Sequence, residues 1–404
     1  MDSNGTKGGE AGFRLRNVPN PTRLFKDIGT RPRRCQSTSD SVLHGVLEIT
    51  ISCLFSLVFF IFGTTIFFQF LFDKTESTVS ILRLWLYTTM APPPAPGVWC
   101  PAVTFYTPDS ETATLDLVAQ KQYFTYLSQS GLTGLVILGS NAEAFLLTRD
   151  EKRALMKCAR EAVGPDYPLM VGISGFSVPQ VMENISDAIE SGANYGLLLP
   201  AAYYGPATSK DVVMAFYDEV AQKSSLPIVI YNFPGICSGV DLDSVTIAAL
   251  AKRNPGKIVG VKLTCGSVAK ITRLCAELPS DMFSTYAGQA DWLIAGLAVG
   301  SAGCVSAFSN VFPKVCSKVY ELYTSGKTQE ALELHRKAAL AESPIKAGIA
   351  PTKHAVSQYS AKAAGIEGAE ERLHPRQPYM PVGEALKTSV KNTMGELAAI
   401  ENGL

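Results

Sequence analysis

The sequence predicts an α/β fold, a (β/α)₈ TIM barrel with a C-terminal helical extension, preceded by a disordered tail and one hydrophobic helix. Three observations support the barrel. From residue 98 onward, short β-branched runs alternate with amphipathic helical stretches. The runs number eight, which is the number that closes such a barrel. Polar side chains follow several runs, at the strand ends where barrels of this class carry their active sites.

The predicted strands are short apolar segments bounded by turn residues such as Gly, Pro and Asn. They lie at 98–105, 134–138, 169–173, 195–199, 227–231, 258–262, 283–287 and 303–307. Three further helical segments follow the eighth strand, at 327–341, 344–364 and 383–401. We therefore predict a (β/α)₈ barrel domain over 97–325 and C-terminal helices over 326–404.

The first 96 residues do not share this pattern and divide into three segments. Residues 1–44 carry six arginines among Ser, Thr, Pro and Gly, and we expect a disordered basic tail. Residues 45–72 are a candidate transmembrane helix, because 49–72 contain 24 consecutive uncharged residues, enough to cross a bilayer. Residues 73–96 are predicted to be a linker.

Three interpretations of this region stay open. In the first, 49–72 anchor the protein in a membrane as a single pass, with the basic flank in the cytosol. In the second, which we prefer, residues 1–89 are an extension that catalysis does not need, and the catalytic domain is cytoplasmic. A mitochondrial targeting segment is a weaker third option, because acidic residues interrupt the basic stretch at Asp2, Glu10 and Asp27.

The composition argues against several classes of function. Lys+Arg and Asp+Glu both number 36, which disfavours a nucleic-acid-binding surface. The nine cysteines include no Cys-x-x-Cys pair, which favours free thiols in a reducing compartment. The four histidines form no His-Glu-x-x-His pattern, and no phosphate-binding or dinucleotide-binding loop is present. We therefore expect neither a metal nor a cofactor.

A lysine and a tyrosine that close two apolar runs are the leading catalytic candidates, Lys262 after the sixth run and Tyr231 after the fifth. A lysine among apolar neighbours loses the solvation of its ammonium, so the free amine becomes available to attack a carbonyl carbon. A nearby phenol can then move protons. Each residue also has a plainer interpretation, a lysine that reaches water from the barrel rim or a tyrosine packed in the core.

Two further clusters follow predicted strands. The second strand runs into Gly139-Ser140-Asn141-Ala142-Glu143, where backbone N–H groups can bind a carboxylate and the Ser140 hydroxyl can relay a proton. The alternative is that Ser140 or Asn141 only caps the next turn. The fourth strand runs into Tyr203-Tyr204, which line a pocket or pack at a subunit contact.

Taken together in this order and spacing, these residues resemble the dihydrodipicolinate synthase / N-acetylneuraminate lyase family of class I aldolases over roughly residues 97–370. The resemblance is carried by Gly139-Ser140-Asn141-Ala142-Glu143, Tyr203-Tyr204, Tyr231-Asn232-Phe233-Pro234 and Val259-Gly260-Val261-Lys262. It implies a (β/α)₈ barrel with a C-terminal helical appendage, assembled as a dimer or as a tetramer built from two dimers.

The resemblance also implies a role for each candidate residue. Lys262 resembles the lysine that forms a Schiff base with the 2-oxo group of pyruvate or its adduct. Tyr231 resembles the proton-shuttling phenol, and Ser140 the hydroxyl that links it to a second tyrosine. We assign that second tyrosine to Tyr203, which many members donate across a dimer interface. Asn141, through its backbone N–H, resembles the group that binds the pyruvate carboxylate.

One departure from the family pattern narrows the substrate. Dihydrodipicolinate synthases usually carry an arginine two residues after the Tyr-Asn-x-Pro motif, where this chain has Ile236. An alkyl group cannot replace the guanidinium that holds the second substrate's carboxylate, so synthesis in the lysine pathway is disfavoured. The turn Ser140-Asn141-Ala142 and the run 261–266 are closer to 4-hydroxy-2-oxoglutarate aldolases and fungal 2-keto-3-deoxy-L-galactonate aldolases.

We therefore expect a metal-free lyase that cleaves a 4-hydroxy-2-oxo acid to pyruvate and an aldehyde, either glyoxylate or glyceraldehyde. The alternatives are a dihydrodipicolinate synthase or hydratase-aldolase on the same scaffold, and a membrane-tethered barrel that binds keto acids without catalysis. The expected partners are a small 2-oxo acid and further copies of this chain.

Overall fold

The computed structural model describes residues 90–108 and 113–404. Its eight strands form a closed, all-parallel barrel in sequence order, in which β1 pairs with both β2 and β8. The strands are β1 Gly97–Pro101, β2 Gly134–Ile137, β3 Leu169–Gly172, β4 Tyr195–Leu198, β5 Ile228–Asn232, β6 Ile258–Leu263, β7 Ser284–Ala287 and β8 Gly303–Val305. The predicted TIM barrel is therefore confirmed.

One helix follows each strand and covers the outside of the barrel. These helices are α1 Leu117–Ser128, α2 Arg149–Val163, α3 Val178–Glu190, α4 Lys210–Lys223, α5 Ser244–Arg253, α6 Val268–Glu277, α7 Leu293–Ala298 and α8 Pro313–Thr324. Most begin at a side chain that accepts a hydrogen bond from the first turn, such as Thr148 before α2 and Ser209 before α4. The alternation of the sequence thus maps directly onto βα units.

The C-terminal residues form helices that pack beside the barrel: α9 Thr328–Glu342, α10 Ile349–Gln358, α11 Ser360–Ala363, α12 Ala369–Arg372 and α13 Glu384–Gly403. The predicted helix at 344–364 is broken, because a 3-10 turn at Ser343–Ala347 ends at Gly348, whose φ of +131° favours glycine. The Glu401 carboxylate on α13 accepts the N–H groups of Lys314 and Val315 at 3.0 and 2.8 Å, which ties α13 to the start of α8.

The core has two layers. Residues that point into the barrel pack among themselves, including Trp99, Val136, Met170, Val229 and Tyr286. Their neighbours along each strand point outward and pack against the helices. Gly134 leaves room for the Trp99 ring, since a Cβ at residue 134 would lie 2.4 Å from a ring carbon.

A proline-rich segment before β1 closes the amino-terminal end of the barrel. The Tyr286 hydroxyl donates to the carbonyls of Pro94 and Ala95 at 2.7 and 2.8 Å. The Ser284 hydroxyl donates to Pro94 at 2.8 Å, and the Trp99 indole donates to Ala95 at 3.1 Å. The last residues of the predicted linker thus contact the strands, and we call 91–96 the barrel plug.

The remaining amino-terminal predictions fall outside the described residues: the tail at 1–44, the hydrophobic segment at 45–72 and the linker up to 89. The chain divides into two units, 1–75 and 76–404, and the described residues belong to the second. In that described part, no helix is both long and apolar enough to cross a membrane.

Candidate active site

Tyr231 and Lys262 lie side by side at the carboxyl end of the barrel. They are register partners on β5 and β6, each the last residue but one of its strand. Both are buried, with 3% and 4% of their surfaces exposed. Lys262 Nζ lies 4.2 Å from the centroid of the Tyr231 ring. The lysine and the phenol predicted from separate runs therefore form one contact.

An irregularity in β6 turns Lys262 towards the barrel interior. Ile228 pairs with Ile258 but Val229 pairs with Gly260, so Val259 is an extra residue in the ladder. Val259 packs in the barrel interior, whereas Val261 and Leu263 pack in the outer layer. Because side chains alternate along a strand, Lys262 points inward only after this bulge.

The turn after β2 lies beside this pair. Ser140–Ala142 form a 3-10 turn in which Ala142 and Glu143 donate their N–H groups to Gly139 and Ser140, both at 3.1 Å. The Ser140 hydroxyl lies 3.4 Å from the Tyr231 hydroxyl. Ser140 and Asn141 line a cavity of about 420 Å³ together with Tyr231 and Lys262. Four of the five predicted site residues are thus brought to one cavity.

Residues of the C-terminal segment stabilise this turn through contacts with Glu143. Glu143 adopts a left-handed backbone with φ of +56°, and its buried carboxylate contacts Lys353 Nζ at 2.5 Å and the Arg376 backbone N–H at 2.6 Å. Lys353 is fully buried and also donates to the His374 carbonyl at 2.9 Å. Burial lowers the pKa of Lys353 to about 8, and the Glu143 carboxylate opposes that shift. Glu143 therefore anchors the turn after β2 to the C-terminal segment.

Thr264 is a cavity residue that the sequence analysis missed. It follows Lys262 by two residues, and its buried hydroxyl has no hydrogen-bond partner among the described residues. Gly288 lies against it, since a Cβ at residue 288 would be 2.2 Å from Thr264 Oγ1. The alternation of side chains after Lys262 could have identified Thr264 as lying on the same face.

The C-terminal helices add two charged residues to the wall. Glu342 accepts the N–H groups of Ala290 and Asp291 at 3.1 and 2.7 Å, and burial together with the Asp291 charge raises the pKa of Glu342 to about 7. Lys346 donates to the Gln289 side chain at 2.7 Å and forms an ion pair with Asp291. No sequence motif connects these residues to the barrel strands, so only the folded chain reveals them.

Tyr203, the fifth predicted residue, lies outside this cavity. It is 68% exposed, and its ring contacts Phe176 at 5.5 Å and Tyr204 at 5.2 Å between centroids. Tyr203 lines a neighbouring hollow that shares Phe145 and Ile236 with the Lys262 cavity. Within this one chain Tyr203 does not reach Ser140, so its assigned role stays a prediction that requires a partner subunit.

The hydrogen-bond donors of the side chains that line the site are amines, hydroxyls and amides. Among the described residues, no group of three or more His, Cys, Asp or Glu side chains is placed to hold a metal ion. The seven described cysteines are free, and burial raises the pKa of the Cys158 and Cys237 thiols to about 11. The fold and this cavity define the class of the protein: a TIM-barrel enzyme with a buried lysine facing a small-molecule cavity.

Comparison with known proteins identifies the family. The model of the dihydrodipicolinate synthetase family matches residues 100–397. A Coccidioides immitis protein with the provisional name 4-hydroxy-2-oxoglutarate aldolase, mitochondrial, is 61% identical over 77% of this chain and 98% of its own length. The L-threo-3-deoxy-hexylosonate aldolase of Hypocrea jecorina is 34% identical over 78% of this chain and 100% of its own length.

A solved structure agrees with this assignment. A Coccidioides immitis protein attributed to the dihydrodipicolinate synthase family superposes with a TM-score of 0.72 at 59% identity, over 77% of this chain and 98% of that one. This chain belongs to the dihydrodipicolinate synthetase family. The resemblance inferred from the motifs is therefore confirmed.

Proposed function

We propose that the protein is a class I aldolase, a lyase that cleaves a 4-hydroxy-2-oxo acid to pyruvate and an aldehyde. The observation that carries the proposal is the contact between Lys262 Nζ and the Tyr231 ring in a cavity that also contains the Ser140–Asn141 turn. The names of the Coccidioides immitis and Hypocrea jecorina relatives, both aldolases of 2-oxo acids, support the same reaction class.

The first steps use the lysine and the turn. The substrate C1 carboxylate accepts hydrogen bonds from the Asn141 N–H and the Ser140 hydroxyl. The free amine of Lys262 attacks the C2 carbonyl carbon, and loss of water gives a protonated imine that joins C2 to Nζ.

Cleavage then uses the phenol. The Tyr231 hydroxyl accepts the proton of the C4 hydroxyl as it passes its own proton to Ser140, while the C3–C4 bond breaks and the bonding electrons move into the protonated imine to give an enamine. The aldehyde leaves, C3 takes up a proton, and water hydrolyses the imine to release pyruvate and Lys262. Ser140, 3.4 Å from the Tyr231 hydroxyl, is positioned to pass the proton onwards.

A substrate panel tests this function. We expect pyruvate release from 4-hydroxy-2-oxoglutarate or from a 2-keto-3-deoxy sugar acid, measured by a coupled lactate dehydrogenase assay, and none with Lys262→Ala. Efficient condensation of pyruvate with aspartate semialdehyde would overturn the proposal in favour of the synthase. Ile236, which lines the cavity where that enzyme needs an arginine, argues against this outcome.

The cellular location depends on residues outside the described part of the chain. Relatives from Coccidioides immitis and Emericella nidulans carry mitochondrial names, whereas the cysteine pattern, typical of free thiols in a reducing compartment, led us to prefer a cytoplasmic catalytic domain. Fractionation of the native protein with N-terminal sequencing separates the options. A cytosolic species that begins near residue 90 supports our preference, and recovery with mitochondria or with carbonate-washed membranes contradicts it.

A further inference from the structure

A second lysine lines the cavity of Lys262, and we propose that it binds the distal carboxylate of a 2-oxo diacid substrate. The inference rests on the proposed aldolase function and names the substrate class of the same site. Lys346 lies on the 3-10 turn Ser343–Ala347 between α9 and α10. Among the described residues that line the cavity, Lys262 and Lys346 are the two that carry a cationic side chain.

Lys346 lies on the side of the barrel mouth opposite the Ser140–Asn141 turn. Its ammonium donates to Gln289, which follows β7 directly after Gly288. Gly288 packs against Thr264, two residues beyond Lys262 on the neighbouring strand. In a closed barrel of eight strands, β6 stands across from β2. A substrate with its C1 carboxylate at the β2 turn and its C2 on Lys262 therefore extends its tail towards Lys346.

The Lys346 ammonium has a donor available for such a tail. A lysine ammonium carries three N–H donors, and Gln289 and Asp291 take two of them. The side chain keeps 35% of its surface exposed, so the third donor is accessible. Because Gln289 and Asp291 already fix the ammonium, a carboxylate that binds there immobilises few additional side-chain rotamers.

The Lys346 ammonium favours a carboxylate over a neutral hydroxylated tail. The neighbouring carboxyl groups are Asp291, which is paired with Lys346, and Glu342, which accepts two backbone N–H groups. The raised pKa of Glu342, about 7, leaves this carboxyl partly uncharged near neutral pH. A hydrogen bond from an ammonium to a carboxylate is stronger than one to a neutral hydroxyl. The opposite wall at Ile236 offers only an alkyl group.

The test compares two substrates in the full-length enzyme and its Lys346→Met variant. For 4-hydroxy-2-oxoglutarate we expect kcat/KM to fall about tenfold or more, chiefly through KM, which is the effect of about 1.4 kcal/mol of lost binding. For a 2-keto-3-deoxy sugar acid with a neutral tail, kcat/KM should stay within about twofold. Lys346→Arg should restore most of the diacid activity, and Lys337→Met, on the exposed face of α9, should change neither substrate.

An equal loss on both substrates would overturn the inference, because Lys346 would then only brace the loop. A second measurement uses the unmodified enzyme and so does not depend on a variant that folds. As inhibitors, 2-oxoglutarate should act at about tenfold lower concentration than 2-oxovalerate, which has a methyl group in place of the distal carboxylate. Equal inhibition contradicts the inference. Failure of the enzyme to trap pyruvate with borohydride defeats the proposed function instead.

Discussion

At the residue scale, the hydroxyl of Tyr231 can be removed without removing its packing. The ring lies 5.8 Å from Phe233 and carries Lys262 Nζ over its face, whereas the hydroxyl lies at 3.4 Å from Ser140. For Tyr231→Phe we expect kcat for pyruvate release to fall by about 10²–10⁴-fold, because the general acid–base group is lost. The imine between Lys262 and pyruvate should still form. Unchanged kcat in steady-state assays would contradict the assigned role.

Glu342 gives the folded state a pH dependence. Its pKa is raised from 4.5 to about 7, so between these values the folded chain binds a proton that the unfolded chain has released. The stability that Glu342 contributes is therefore complete below about pH 4.5 and lost as the pH rises to 7.

We predict that Glu342→Gln removes the pH dependence that Glu342 gives to the free energy of unfolding. Between pH 5 and 8, the unfolding free energy of the unmodified protein should fall by roughly 1–3 kcal/mol more than that of the variant. Chemical denaturation at each pH measures the free energy of unfolding of both proteins. The difference between them gives the contribution of Glu342 apart from that of other titrating groups. Parallel curves would show that the carboxyl is ionised in the folded state throughout this range.

The individual site residues differ in how far the sequence revealed them. Lys262, Tyr231, Ser140 and Asn141 follow apolar runs, so their place at the strand ends could be predicted. Glu342 and Lys346 of the C-terminal segment reach the same cavity only through tertiary packing, as Lys353 reaches Glu143, and no local pattern marks these three residues.

At the element scale, the barrel plug, residues 91–96, is held by hydrogen bonds from side chains of the strands rather than by β-sheet pairing of its backbone. Tyr286 on β7 is fully buried and donates to two plug carbonyls. Tyr286→Phe leaves those carbonyls without this donor, which should lower the unfolding free energy by about 1–3 kcal/mol. Tyr286 pairs with Lys262 in the ladder, but Tyr286→Phe keeps the ring and removes only the hydroxyl that faces the plug, so kcat should not change.

Urea unfolding followed by an activity assay checks this prediction, and Ser284→Ala provides a matched variant that removes a single hydrogen bond to Pro94. The serine variant should show a smaller loss of stability than Tyr286→Phe. A loss of activity without a loss of stability in Tyr286→Phe would contradict the separation of plug and active site.

The sequence predicted the strands and helices better than the irregularities within them, such as the bulge in β6. All eight strands were identified because buried parallel strands read as short apolar runs. The bulge at Val259 was not, because Gly260 inside the run is compatible with a bulge but does not show which residue leaves the ladder. The break at Gly348 was also missed, because it depends on a backbone conformation at a single glycine within an otherwise helical pattern.

At the scale of the whole molecule, a group of exposed aromatic residues predicts self-association. Ring contacts connect Phe145, Phe176, Tyr203 and Tyr204, and all four are largely exposed in this chain. Contiguous exposed apolar surface commonly marks an interface. We expect a dimer or tetramer in solution, and Tyr203→Asp should shift it towards the monomer in sedimentation velocity.

Substitutions on the same surface distinguish a role of Tyr203 in subunit assembly from a role in catalysis. If the Tyr203 hydroxyl completes a partner's site, Tyr203→Phe should keep the oligomer and lower kcat, whereas Tyr204→Phe, on the adjacent ring, should leave kcat unchanged. The reverse pattern would transfer the predicted role from Tyr203 to Tyr204. An unaltered sedimentation coefficient in Tyr203→Asp would contradict the proposed interface.

The most direct measurement is reductive trapping of the full-length protein with pyruvate and borohydride, followed by peptide mass spectrometry. Lys262 is the buried lysine at the carboxyl end of β6, so we predict one pyruvate-derived adduct on the peptide that contains it. Lys262→Ala should give no adduct, and Tyr231→Phe should retain it. No adduct on the Lys262 peptide of the unmodified protein, or an adduct on another lysine, would contradict the Schiff-base mechanism.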